Sequence, residues 1–178
     1  MALTEDLCPV WAGFIGFLGI AIALGATAIG SGYGTAKSAI GVFAACSIHP
    51  EFIYKGLMPV IMAGIVGIYG LVAAVIMNTR VTETGGQSFH QFNAYAILSC
   101  GLSVGLCGIA SGCCIGVAGD AACRVLGEKP QLLMGAMLVL IFGEVLGLYG
   151  FIVACILSNK SDGRACYLDI SQLNKTTK

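Results

Sequence analysis

One carboxylic acid, Glu144, stands alone in an otherwise uncharged stretch, Leu132 to Leu157, which reads LLMGAMLVLIFGEVLGLYGFIVACIL. The stretch is 26 residues long and Glu144 is its thirteenth. At about 1.5 Å of rise per residue, a helix of that length crosses the ~30 Å hydrocarbon core with some tilt and leaves the acid near the midplane. An ionised carboxylate there costs roughly 2.5–3.5 kcal/mol on insertion scales, which predicts that Glu144 rests protonated. Two roles fit such an acid. It is a proton carrier, loaded in the membrane and discharged where a partner opens a path to water, or it is a neutral acid that hydrogen-bonds to a neighbouring helix.

The rest of the chain reads as a frame built to hold that position. Of 178 residues 57% are hydrophobic and 10% charged, a composition that places the protein in the membrane. Net charge is zero and neither sign gathers into a block, so nucleic-acid binding has no electrostatic basis. Seven of the nine cysteines lie in apolar runs, where Cys acts as a small hydrophobe. With no C-x-x-C pair and no P-loop, the sequence predicts no metal site, no cofactor and no catalytic residue. Cys8 and Cys166, in polar flanks, could pair only if both termini share an oxidising compartment.

Apolar periodicity and breaker residues divide the chain into a flank (1–9), a first helical hairpin (10–78, spans ~10–46 and ~52–78), a loop (79–91), a second hairpin (92–158, spans ~92–126 and ~131–157) and a flexible polar tail (159–178). The predicted fold class is an all-α membrane protein with four transmembrane helices. The first and third runs exceed what a bilayer needs and carry small residues at helical spacing: Gly30 and Gly34, then Gly108, Gly112 and Gly116. Such spacing lets helix backbones approach closely in lipid. Asp120 and Arg124, four apart, are expected to pair on one helix face, and Asn174 sits in an N-x-[ST] acceptor pattern that requires a lumenal tail.

Sliding the chain by 80 residues superimposes its halves without a gap. Gly25 falls on Gly105, Ser31 on Ser111, Gly32 on Gly112, Pro50 on Pro130 and Tyr69 on Tyr149. An even number of spans separates the halves, so the hairpins are tandem and share one orientation. In this register Glu144 falls on Gly64: one half keeps the acid and the other has glycine.

The stretches YGTAKS (33–38), PVIMAGIVGIYGLV (59–72), GLSVGLCGIASGCCIGVAGDA (101–121) and LIFGEVLGLYG (140–150) closely resemble the 16 kDa proteolipid family of V-type, vacuolar proton-translocating ATPases, in its c or c′ form. The resemblance implies a four-helix protomer in a homo- or hetero-oligomeric rotor ring with other proteolipids, its first and third helices inside, its second and fourth outside towards lipid and the static a-subunit. It further implies that Glu144 is the proton-binding residue, discharged opposite an arginine of the a-subunit, and that the chain is itself non-catalytic while ATP hydrolysis elsewhere drives the ring to acidify an organelle. Both termini would be lumenal in a vacuolar, lysosomal or similar membrane, with the 47–55 and 127–130 links cytosolic against the central stalk, its d-subunit included. The position before the acid, commonly alanine in that family, is Gly143, which is expected to loosen local packing.

The transported ion is predicted to be H⁺. A hard cation wants about six oxygen ligands, whereas the second span offers GIVGIY at 64–69, with Tyr69 and Tyr149 the nearest phenols. Tyr69 is a candidate hydrogen-bond partner of Glu144, the alternative being a tyrosine that fills the helix interface. Competing functions are a small proton-coupled four-helix exporter and a structural or channel-forming tetraspan.

Overall fold

The computed structural model describes residues 11–83 and 91–160, which form four long helices. These are α1 (Ala12–Cys46), α2 (Met58–Glu83), α3 (Gln91–Glu128) and α4 (Leu133–Lys160). Each is long and apolar enough to cross a membrane. Pro59 falls in the first turn of α2, where the missing N–H has no intrahelical partner to lose. Between α1 and α2, His49 is extended, as the residue before Pro50 should be. A 3₁₀ turn at Pro50–Phe52 and one helical turn at Ile53–Gly56 then lead into α2. The second link repeats the device with a 3₁₀ turn at Pro130–Leu132.

The helices overrun several predicted boundaries. α2 continues through Glu83, into the first residues of the predicted 79–91 loop, and α4 continues to Lys160, past the predicted start of the tail at 159. Polar residues beyond the lipid need not end a helix when side chains pair across it: Arg80 donates to Asn159 Oδ1 at 3.0 Å, tying the ends of α2 and α4 together. α3 likewise reaches Glu128, two residues past its predicted end. Cys8, Cys166, Asn174 and the tail from 161 onwards lie outside the described residues.

α1 and α3 make the most extensive contact and form one layer; α2 and α4 pack against them and each other as the second. A methyl group at Gly30 would stand 2.5 Å from the Gly108 carbonyl oxygen, and one at Gly34 2.7 Å from that of Gly112, so only glycine permits this approach. Gly112 in turn lies against Gly30, Gly116 against Gly34 and Lys37, and Gly108 against Thr27. The pairing runs Gly19 with Ile97, Gly30 with Gly108 and Gly34 with Gly112 at an offset of 78, and Gly30 with Gly112 and Gly34 with Gly116 at an offset of 82, so α1 and α3 are parallel. Where they near the end of the bundle that holds the 47–52 link, Asp120 accepts from Arg124 Nε at 2.9 Å, the expected same-face pair, and Lys37 Nζ joins at 3.8 Å.

The core is built from small and branched residues in three clusters along the bundle, around Ala23, Ile97 and Val104, around Val66, Ile115 and Leu140, and around Ala45, Phe52 and Leu126. The perimeter is apolar too, with Phe14, Phe43 and Phe142 among many exposed large side chains. A surface of that kind suits lipid or other apolar helices and not water.

Candidate functional site

Glu144 is the twelfth of the 28 residues of α4, and Tyr69 the twelfth of the 26 of α2. Because the hairpins share an orientation, equal depth on α2 and α4 brings the two side chains level. Tyr69 Oη donates to Glu144 Oε1 at 3.1 Å. The Tyr69 ring stacks on Phe151 of α4, with centroids 6.0 Å apart and planes 28° from parallel, which fixes where the hydroxyl points. Tyr149, the repeat image of Tyr69, instead points outward and is 57% exposed.

The carboxyl-bearing residue is half-buried, and its helical neighbours Ile141, Phe142 and Leu146 are exposed. Glu144 therefore sits at the rim of the α2–α4 layer and is not walled into the protomer. On the opposite side of the same turn, Gly143 is buried against α3. A methyl group there would stand 3.1 Å from Ile115 Cγ1 and 3.4 Å from Cys114 Sγ, so little space is left beside the backbone. The expected loosening at Gly143 is thus corrected: Ile115 and Cys114 pack directly against its backbone and leave no void there. Gly147 continues the seam against Ser111 and the Tyr69 ring.

Ser111, whose side chain sequence reasoning used only to set the repeat register, donates its buried hydroxyl to the Gly143 carbonyl at 2.7 Å. The pairing of Lys37 with Asp120 across α1 and α3 was equally unread. Neither carries a short-range signal, since the partners are 32 and 83 residues apart (143 − 111 and 120 − 37). The five glycines singled out by spacing, Gly30, Gly34, Gly108, Gly112 and Gly116, lie together in the α1–α3 seam and not at the acid.

Chemically the site offers one carboxyl, one phenol and a backbone carbonyl already engaged. No group of three or more His, Cys, Asp or Glu side chains placed to hold a metal occurs among the described residues. Such an arrangement can take up and release a proton.

A family model described as the ATP synthase C-subunit matches residues 18–77 and again residues 98–157, two matches offset by the 80 residues of the repeat (98 − 18). The chain is 48% identical over 160 residues to the V-type proton ATPase c′-subunit of Neurospora crassa, covering 89% of this chain and 96% of that one. It is 46% identical over 157 residues to the V-type proton ATPase c-subunit of Candida tropicalis, covering 88% and 96%. To the V-type proton ATPase 16 kDa proteolipid c-subunit of Nephrops norvegicus it is 44% identical over 159 residues, covering 89% and 99%.

Proposed function

This chain belongs to the ATP synthase C-subunit family, and we propose that it is the proton-carrying ring component of a V-type ATPase membrane sector, with Glu144 as the carrier. The relatives' names speak for this role and not for an exporter or a structural tetraspan. The observation that carries the mechanism is the placement of Glu144: mid-helix, at the outer rim, with a single neutral donor, Tyr69, on its carboxyl. Facing lipid, the acid is held neutral by the cost of burying its charge. It releases its proton only where the static a-subunit supplies an arginine and a path to water, so charge separation waits for the partner. The ring turns as ATP is hydrolysed in another sector, this chain being non-catalytic. The carried ion is H⁺: one carboxyl and one phenol fall well short of the roughly six oxygens a hard cation seeks, and the nearby Gly143 carbonyl is taken by Ser111.

The ring neighbour is a second copy, or a related proteolipid, docked as α3 docks on α1 within the chain. The repeat makes this specific. Lys37 of α1 meets Asp120 of α3 inside the protomer; their repeat images are Val117 and Ile40, both apolar and 57% and 53% exposed. A contact of the same form between copies would set Val117 of one against Ile40 of the next, and Cys114 against Gly32, as Gly34 meets Gly112 within the chain. Oxidising membranes that carry Gly32→Cys should then link copies through native Cys114, giving a dimer band absent from wild type; no band under conditions where the ring is assembled overturns this face.

The protein resides in the membrane of an acidic compartment, termini lumenal. The links at 47–52 and 128–132 lie side by side around a cleft lined by His49, Phe52, Lys55, Leu126 and Glu128, a surface of mixed apolar and charged character that suits the cytosolic central stalk and its d-subunit. The deciding test of the carrier is Glu144→Gln, which keeps size and removes ionisation. In an assembled complex it should abolish ATP-driven acidification and labelling by a hydrophobic carbodiimide; acidification that survives removes Glu144 from the mechanism.

A further inference from the structure

The geometry points to Ser111 as a positioning residue for the Glu144 carboxyl, an inference that rests on Glu144 being the carrier. Hydroxyls on these helices mostly turn back on their own backbone: Thr27 on Ala23, Thr35 on Gly32, Thr79 on Ile76 and Ser99 on Ala96, each three or four residues earlier. Ser111 forgoes that bond. Its fully buried hydroxyl crosses from α3 to α4 and meets the Gly143 carbonyl at 2.7 Å, whereas the other buried serine that crosses, Ser38 to Ile115, does so at 3.5 Å.

The acceptor belongs to the peptide that joins Gly143 to Glu144, so the bond restrains the backbone of the acid itself. The turn is therefore held from two sides, by Tyr69 of α2 on the carboxyl and by Ser111 of α3 on the main chain. Discharge must break the first bond and leaves the second untouched. The seam favours the same division, because a methyl at Gly143 would stand 3.1 Å from Ile115 Cγ1 and one at Gly147 3.2 Å from Ser111 Oγ. Turning α4 about its axis would drive larger neighbours into α3. Ser111 thus keeps α4 stationary, and the carboxyl leaves Tyr69 by rotating its own side chain.

The test compares Ser111→Ala and Ser111→Cys with wild type in the assembled complex in sealed membrane vesicles. The cysteine variant provides a longer, weaker donor of the kind Cys100 already supplies from α3 to the Ala154 carbonyl at 3.5 Å. Per assembled complex, Ser111→Ala should lower ATP-driven proton uptake about three- to tenfold and raise the rate of carbodiimide labelling of Glu144 by a similar factor, as a loosened carboxyl leaves Tyr69 more often. Ser111→Cys should fall between alanine and wild type in both readouts. If the alanine variant does not assemble, the cysteine variant alone decides. Uptake and labelling per complex equal to wild type, with only the amount of complex reduced, assign Ser111 a merely structural role and overturn the inference. Glu144→Gln is run alongside: an active Glu144→Gln overturns the carrier itself, whereas an inactive Glu144→Gln beside an unchanged Ser111 variant overturns the positioning role alone.

Discussion

The two hairpins are near copies of one frame that differ at one decisive place. In the first, a methyl at Gly67 would stand 3.2 Å from Ser31 Oγ; in the second, a methyl at Gly147 would stand 3.2 Å from Ser111 Oγ. The seams match to that level. Yet where α4 carries Glu144, α2 carries Gly64, with no neighbouring atom within 4 Å of the place a side chain would begin. Scaffold and chemistry are therefore separable in this protein. The duplicated frame supplies depth, orientation and close helix approach to both halves, and a single side chain gives one half a carboxyl that the other lacks.

The most severe way to break the comparison is to spoil the frame itself. Gly30→Val should cost more than the 1–3 kcal/mol typical of overpacking, because the new side chain begins 2.5 Å from the Gly108 carbonyl oxygen, and the variant should be lost from membranes by quantitative blotting. Gly25→Val, with nothing within 4 Å in its own chain, should leave the monomer folded in detergent and instead reduce ring assembly.

A gentler manipulation moves the acid. In a Glu144→Gln background, Gly64→Glu has room in the protomer, and the repeat offers it a phenol: as Tyr69 of the first hairpin serves Glu144, the exposed Tyr149 would serve position 64 of the adjoining copy. Carbodiimide labelling should reappear at residue 64, with acidification regained below the wild-type rate. If no label appears in assembled rings, the halves are less alike than their seams suggest. The smallest change is Tyr69→Phe, which keeps the stack on Phe151 and removes one donor. Loss of a single hydrogen bond predicts a two- to tenfold change in labelling rate, with assembly unaffected.

Much of this was legible because lipid is a demanding solvent. Chains in it must satisfy their backbone internally, so long apolar runs can only be helices, and an acid among them stands out. The 80-residue repeat then fixed orientation and made Gly64 meaningful. What stayed hidden was lateral. Sequence spacing reveals which residues share a helix face but not which face of another helix they meet, so the Ser111 bond and the Lys37–Asp120 pair become visible only in the folded bundle. Helix ends were misjudged for a related reason: Arg80 and Asn159 look like loop residues until they are seen to bond across α2 and α4. Gly143 shows the limit most clearly: a glycine there suggests looser packing, whereas Ile115 and Cys114 of α3 leave no void beside it.

The register of α1 on α3 has a geometric corollary. Its contacts, at offsets of 78 and 82 residues, straddle the repeat of 80 by two residues on either side, and two residues along a helix amount to about 200° of rotation. In a ring that repeats this contact between copies, each α1 or α3 helix would meet its left and right neighbours on nearly opposite flanks. Such a palisade would bend little at each post and close late, around a broad central opening.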